Sequence, residues 1–330
     1  MSEMKDPRHK TLRVAAVQME CVLGDKTHNL ARATRFIEEA VAQGAELVLL
    51  PELMPGGYTL TEAIWDTAEP FDSTTTRWLK DLGRKLGIYV GTSFLEAQGE
   101  DFYNTFVLVT PAGEIAGRVR KAPAASIEAY FYRAGNDNHI IETGIGRIGV
   151  AICYEGLLYQ YLHEFHTASV DLILQPTSAA TPTPSFPVGS KGVAAFNDML
   201  RHGPRCYAKA LGIPVVMANK RGPLVTPLPG GFPAQDTCFP GFSAIVDSDV
   251  TLLAQLDDRE AVIVETVTLA MDRKVLQAPP RIGSRWSMDV PWYAFLWPLT
   301  QRFGEKHYAK NSRRRERARE ICAGSYSISQ

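Results

Sequence analysis

Apolar residues along the first third of the chain fall into short unbroken runs and into longer stretches where they recur every three to four positions, and the two kinds alternate. Residues 12–19 (LRVAAVQM), a short run with β-branched valines, predict a first strand. Over 29–43, Leu30, Ala33, Ile37, Ala40 and Val41 recur at helical spacing, and Gly44 supplies a stop signal. Residues 46–51 (ELVLLP) predict a second, buried strand with Glu52 at its end, so strand, helix and strand make a βαβ unit. Residues 74–86 carry Trp78, Leu79, Leu82 and Leu86 on one side of a helix that Gly87 closes before a strand over 88–94. Residues 102–109 and 115–119, joined by Pro-Ala-Gly-Glu, predict an antiparallel hairpin that ends close to Lys121.

The second half repeats the theme without a visible sequence repeat. A strand running up to Cys153 leads into a helix over about 157–168 and a strand over 171–175. Residues 179–189 form a proline-rich loop expected to rim a site, and 204–211 predict a helix with Pro204 in its first turn, followed by a strand over 214–218. Residues 222–241 hold five prolines and four glycines and predict an irregular excursion; 242–246, 251–255 and 261–267 predict closing strands. This alternation points to one α/β domain over residues 1–270 without an internal linker. Residues 271–330 then form a C-terminal extension. Its aromatic segment (Trp286, Trp292, Tyr293, Phe295, Trp297) is expected to pack over the domain or against a second subunit.

Composition narrows the class. In 330 residues, 45% hydrophobic content supports a substantial core, and 35 basic against 36 acidic residues leave a net charge of -1. Such a balance does not suggest nucleic acid or an anionic membrane as partner. Arg313, Arg314, Arg315, Arg317 and Arg319 are read as a solvated, partly helical tail rather than a nucleic-acid patch. Residues 1–10 lack the apolar core of a signal peptide and no run is long enough to span a bilayer, so a cytoplasmic protein is expected. Five scattered cysteines without a C-x-x-C pair argue against a disulfide framework and a zinc ribbon. His163, Glu164 and His166 miss the zinc-protease spacing, and no phosphate-loop or dinucleotide fingerprint is present, so no metal or cofactor is implied.

Candidate chemistry centres on residues 147–156 (RIGVAICYEG). A cysteine at the end of a buried strand, entering a turn, presents its thiol where backbone N–H groups favour developing negative charge. A thiol of ordinary pKa is mostly protonated at neutral pH, so Cys153 needs a base, and Glu52 in a desolvated pocket could act as one. Leu49-Leu50-Pro51-Glu52, then Arg120-Lys121 with Glu128 seven residues on, then Gly149 to Glu155 resemble, in order and approximate separation, the three signature blocks of the nitrilase superfamily, the carbon–nitrogen hydrolases. Phe131 to Gly135 (FYRAG), Val215 to Asn219 (VVMAN) and Gly241 to Asp247 add to the similarity, which spans residues 12–268.

The resemblance implies a four-layer αββα sandwich and a Glu52-Lys121-Cys153 triad, with Glu128 positioning substrate and supporting the lysine. Lys121 and the backbone N–H of Tyr154 would hold the oxyanion, and Glu155 would cap the following helix or line the pocket, so Tyr154 and Glu155 are the candidate substrate-binding residues. Tyr154-Glu155, where nitrilases proper usually carry tryptophan and glutamate, lies closer to amidase-like branches. The expected partner is a small linear amide, with nitrile or N-carbamoyl hydrolysis as alternatives and a non-catalytic assembly protein as an alternative of another class. The resemblance also implies a homodimer or larger homo-oligomer built through residues from about 271 onward. Loops 179–189 and 222–241 are the expected specificity walls.

Overall fold

A computed structural model of the chain describes residues 9–184, 188–231 and 233–324. The first sheet holds β1 (His9–Gln18), β2 (Leu47–Leu49), β3 (Tyr89–Gln98), β4 (Asp101–Val109) and β5 (Ile115–Arg120). The second holds β6 (Ile140–Thr143), β7 (Gly146–Val150), β8 (Leu172–Pro176) and β9 (Val215–Ala218). A separate two-stranded ribbon pairs β10 (Arg221–Thr226) with β11 (Gln235–Pro240). β12 (Ala244–Val246) and β13 (Leu252–Gln255) return to the second sheet and β14 (Ala261–Ala270) to the first.

The strand orders are β14-β1-β2-β3-β4-β5 and β13-β12-β9-β8-β7-β6. Each sheet has an antiparallel edge strand, three parallel strands and then two antiparallel strands, so one topology occurs twice. Side-chain alternation explains how the sheets stack. Leu12, Val14 and Ala16 of β1, and Ile148 and Val150 of β7, point into one core between the sheets. The intervening Ala15 and Val17 pack outward under α1 (Lys26–Ala42) and α2 (Thr74–Leu86). On the far side, Ile173 and Val215 pack under α3 (Tyr159–Thr167) and α4 (Gly189–Leu211). Both faces of the central strands are therefore buried, which is why they read as continuous apolar runs. The result is the expected αββα sandwich.

Three elements differ from the sequence reading. α4 begins fifteen residues before Pro204, which sits inside the helix, because the preceding turns pack Leu200 against Met217 and Phe242. The proline-rich stretch 222–241 contains a β-ribbon, and prolines are tolerated there because both of its strands are edges. Residues 185–187 of the first loop and Phe232 of this one lie outside the described residues. The arginine-rich tail is α6 (Ser312–Gly324), which follows α5 (Trp297–Lys310) and is docked rather than loose. Arg314 is buried against Tyr308 and Asp101, and Arg317 reaches Asp66 at 2.8 Å. No helix among the described residues is long and apolar enough to cross a membrane.

Candidate active site

The chain leaves β2 and β8 at their carboxyl ends side by side, and the site forms there. The Glu52 N–H donates to Thr177 O (3.3 Å), and Ser178 Oγ donates to Glu52 O (2.7 Å), which ties the two sheets together at this point. Lys121 enters from the end of β5, its N–H held by Asn104 O (2.9 Å). Cys153 lies three residues beyond β7, not at the strand's last residue. It opens a 3₁₀ turn, Cys153–Leu157, with φ of 52°, a left-handed conformation that costs a non-glycine residue about 1 kcal/mol or more. Such a turn aims the sulfur out of the sheet and into the cavity.

What braces this turn is Glu155. Its carboxylate accepts from the Ile152 N–H (2.7 Å) and from the Ala122 N–H beside Lys121, and His139 Nε2 lies 2.9 Å away. Burial alone would lower the His139 pKa, but the Glu155 carboxylate overrides it and raises it. The structure thus puts Glu155 beneath the turn and away from the cavity wall.

Lys121 Nζ is buried and donates to Glu52 Oε1 (2.6 Å) and Glu128 Oε2 (2.7 Å). Burial alone would lower its pKa, but the Glu128 and Glu52 carboxylates hold it well above the ordinary range. The two acids fare differently. Glu128 also accepts from the Tyr58 hydroxyl (2.9 Å) and the Ala125 N–H (2.9 Å); against the effect of burial, Lys121 above all, with the Tyr132 side chain and the Ala125 N–H, brings its pKa down. Glu52 accepts from Asn104 Nδ2 (2.7 Å) on the oxygen Lys121 already uses, while Oε2 has no hydrogen-bond partner among the described residues. Burial outweighs Lys121 there and raises the Glu52 pKa. The Cys153 thiol, within electrostatic reach of both, is pushed far up by burial and then by the Glu52 charge.

The sequence over residues 13–276, four-fifths of the chain, matches the family model of the carbon-nitrogen hydrolases. The chain belongs to the carbon–nitrogen hydrolase family. It is 31% identical over 175 residues to a nitrilase of Pyrococcus abyssi, a match covering 52% of this chain and 66% of that one. It is 26% identical over 281 residues to the N-carbamoylputrescine amidase of Arabidopsis thaliana, covering 82% and 91%. In fold it is similar to a carbon-nitrogen hydrolase from Helicobacter pylori G27 (TM-score 0.71, 19% identity, 79% and 90% covered). An amidase from Nesterenkonia sp. superposes with a TM-score of 0.61 at 22% identity, with 79% and 90% covered.

In this carbon–nitrogen hydrolase, Cys153, Tyr154 and Glu128 line a cavity of about 270 Å³. The Tyr154 ring packs edge-on against Trp286 (6.2 Å) and Trp297 (5.8 Å), and burial pushes its hydroxyl up to about 12. Residues 179, 180 and 182 and Leu224 and Gln235 do reach the cavity from the two loops named above, but much of the wall comes from α4 and the C-terminal extension. Sequence reasoning passed over Asn104 and Tyr58, which hold the two carboxylates. Asn104 left a readable signal, an amide inside a largely apolar strand that must find a buried partner. Among the described residues no group of three or more His, Cys, Asp or Glu side chains is placed to hold a metal ion.

Proposed function

We propose that the chain is an amidase that hydrolyses a small linear amide to a carboxylic acid and ammonia through a thioester on Cys153. The observation that carries this reading is the division between the two buried acids on Lys121. Glu128, supplied with donors, stays an anion that fixes the ammonium. Glu52, with raised pKa and a free oxygen, is the proton carrier. Glu52 takes the thiol proton as sulfur attacks the carbonyl carbon. Of the three Lys121 protons, two are held by Glu52 and Glu128, and the third faces the oxyanion together with the Tyr154 N–H. Collapse breaks the C–N bond, Glu52 protonates the leaving nitrogen, and ammonia departs. Water then gives a proton to Glu52 and attacks the thioester; the acid leaves and the proton returns to sulfur. The same nucleophile and carrier would serve a nitrile or an N-carbamoyl substrate. Support for the amide over the nitrile comes from Tyr154 after the cysteine, where nitrilases proper usually carry tryptophan.

The experiment is ammonia release from a panel of amides, nitriles and N-carbamoyl amino acids, with intact mass recorded during turnover, beside Cys153→Ala. An added mass equal to the acyl group, with ammonia abolished in the variant, is expected. Undiminished ammonia from Cys153→Ala would sink the reading.

A further inference from the structure

The cavity above Cys153 has a composition that selects among amides. Met199 and Leu200 of α4 line it together with Met288, Tyr293 and Trp297 of the C-terminal extension and Met217 of β9. Among the described residues Glu128 is the one charged side chain in the wall, and both of its oxygens are engaged, by Lys121 and Ala125 on one side and Tyr58 on the other. Among the described residues this wall offers a second charge on the substrate no opposite charge, only scattered uncharged polar groups such as those of Ser126, Gln175 and Gln235. An ammonium or carboxylate carried at the far end of the acyl group would be stripped of water without an opposite charge, which apolar surroundings do not tolerate. Apolar side chains, by contrast, gain from every methylene that takes the place of water. A cavity of about 270 Å³ has room for a short acyl chain.

We propose that this cavity takes the uncharged, largely hydrocarbon body of the acyl group, with a wall built by α4 and the C-terminal extension acting as the filter against charged amides. This rests on Cys153 being the nucleophile, since the body is placed by its bond to the reacting carbonyl.

The test uses the full-length chain and three amides of matched length: hexanamide, 6-aminohexanamide and adipic acid monoamide. Expected is a kcat/KM at least about 100-fold higher for hexanamide than for either charged compound. Values within about tenfold of one another, or a preference for a charged compound, overturn the proposal while leaving the thioester chemistry intact. If no amide is turned over, binding to Cys153→Ala by titration calorimetry decides instead. Hexanamide bound in preference to 6-aminohexanamide upholds the apolar filter, and absent or reversed preference refutes it. Location is read separately with Gly203→Leu. A Cβ at Gly203 is in ordinary contact with the flexible end of Met288, at 3.5 Å, and Gly203 lines the cavity, so a larger side chain there is expected to take up its space. The ratio of kcat/KM for hexanamide to that for acetamide should fall at least about tenfold; an unchanged ratio places the acyl body elsewhere.

Discussion

Glu52 and Glu128 share one ammonium, and their different surroundings let each carry a different task. Removing the carrier should be severe: Glu52→Gln is expected to lower kcat by about 10³, within the usual range for a general acid–base group, and to suppress the acyl adduct in intact mass. The pH dependence gives a finer test. Glu52 must be ionised to accept the thiol proton, so kcat/KM falls as pH drops through its raised pKa, above the ordinary carboxyl range. The Glu128 charge is one of the causes that raise Glu52. Glu128→Gln removes that charge and leaves Lys121 to Glu52 alone, so the acid limb should move to lower pH even as overall activity declines. A limb that stays in place or moves up would mean that Glu52 is not the group titrating.

At the scale of elements, the reactive turn is held by a buried ion pair under it. Because the Glu155 carboxylate raises His139 above its unfolded value of about 6.5, the pair's contribution to stability is complete below that value. It is then lost as pH rises through the folded pKa. The melting temperature of His139→Gln should therefore lie furthest below that of the parent at about pH 6 and approach it in alkali; a gap that widens with pH would contradict this assignment. His139 and Glu155 also show where reading from sequence stops. β1, β2, β7 and β8 were legible because strands buried on both faces leave unbroken apolar runs, and the helices between them because their apolar positions recur at helical spacing. Glu52 and Cys153 were legible because each stands just past such a run, and Lys121, at the end of a hairpin, because it falls between them in the order of the family's signature blocks. The bracing role of Glu155 was not, since it depends on Ala122 and His139, which only the pairing of β6 with β7 and the packing of the two sheets bring within reach. α4 was half-hidden because Pro204 looks like a start when its packing partners are unknown.

For the whole molecule, the C-terminal extension is the part whose role the fold changes most. α5 packs on the 3₁₀ turn Ser126–Tyr130 that carries Glu128, and the Tyr308 hydroxyl oxygen accepts from the Phe102 N–H (2.8 Å) at the start of β4. Deleting residues 278–330 would therefore strip the cavity wall, unsettle Glu128 and expose the surface under α6 all together, and a loss of assembly in such a protein would say little about how copies meet. A narrower probe exists. Trp292, Phe295, Leu299 and Phe303 recur at spacings of three and four, each at least half exposed, and form one apolar stripe on the side of the extension turned away from the domain. Exposed Arg302 and Lys306 stand with Glu305 on the same helix, so both signs of charge flank the stripe. A surface that meets itself about a two-fold axis must complement itself, which an apolar stripe flanked by both signs of charge can do, and we propose that a second copy of this chain covers the stripe. Trp292→Ser combined with Phe295→Ser leaves Met288, Tyr293 and Trp297 in the cavity wall and removes the two largest exposed rings. Light scattering should then give a smaller mass than for the parent, with the melting point little changed if the copies associate only after folding. An unchanged oligomeric mass would show that association runs through another face, and a monomeric parent would show that the stripe has no such occupant.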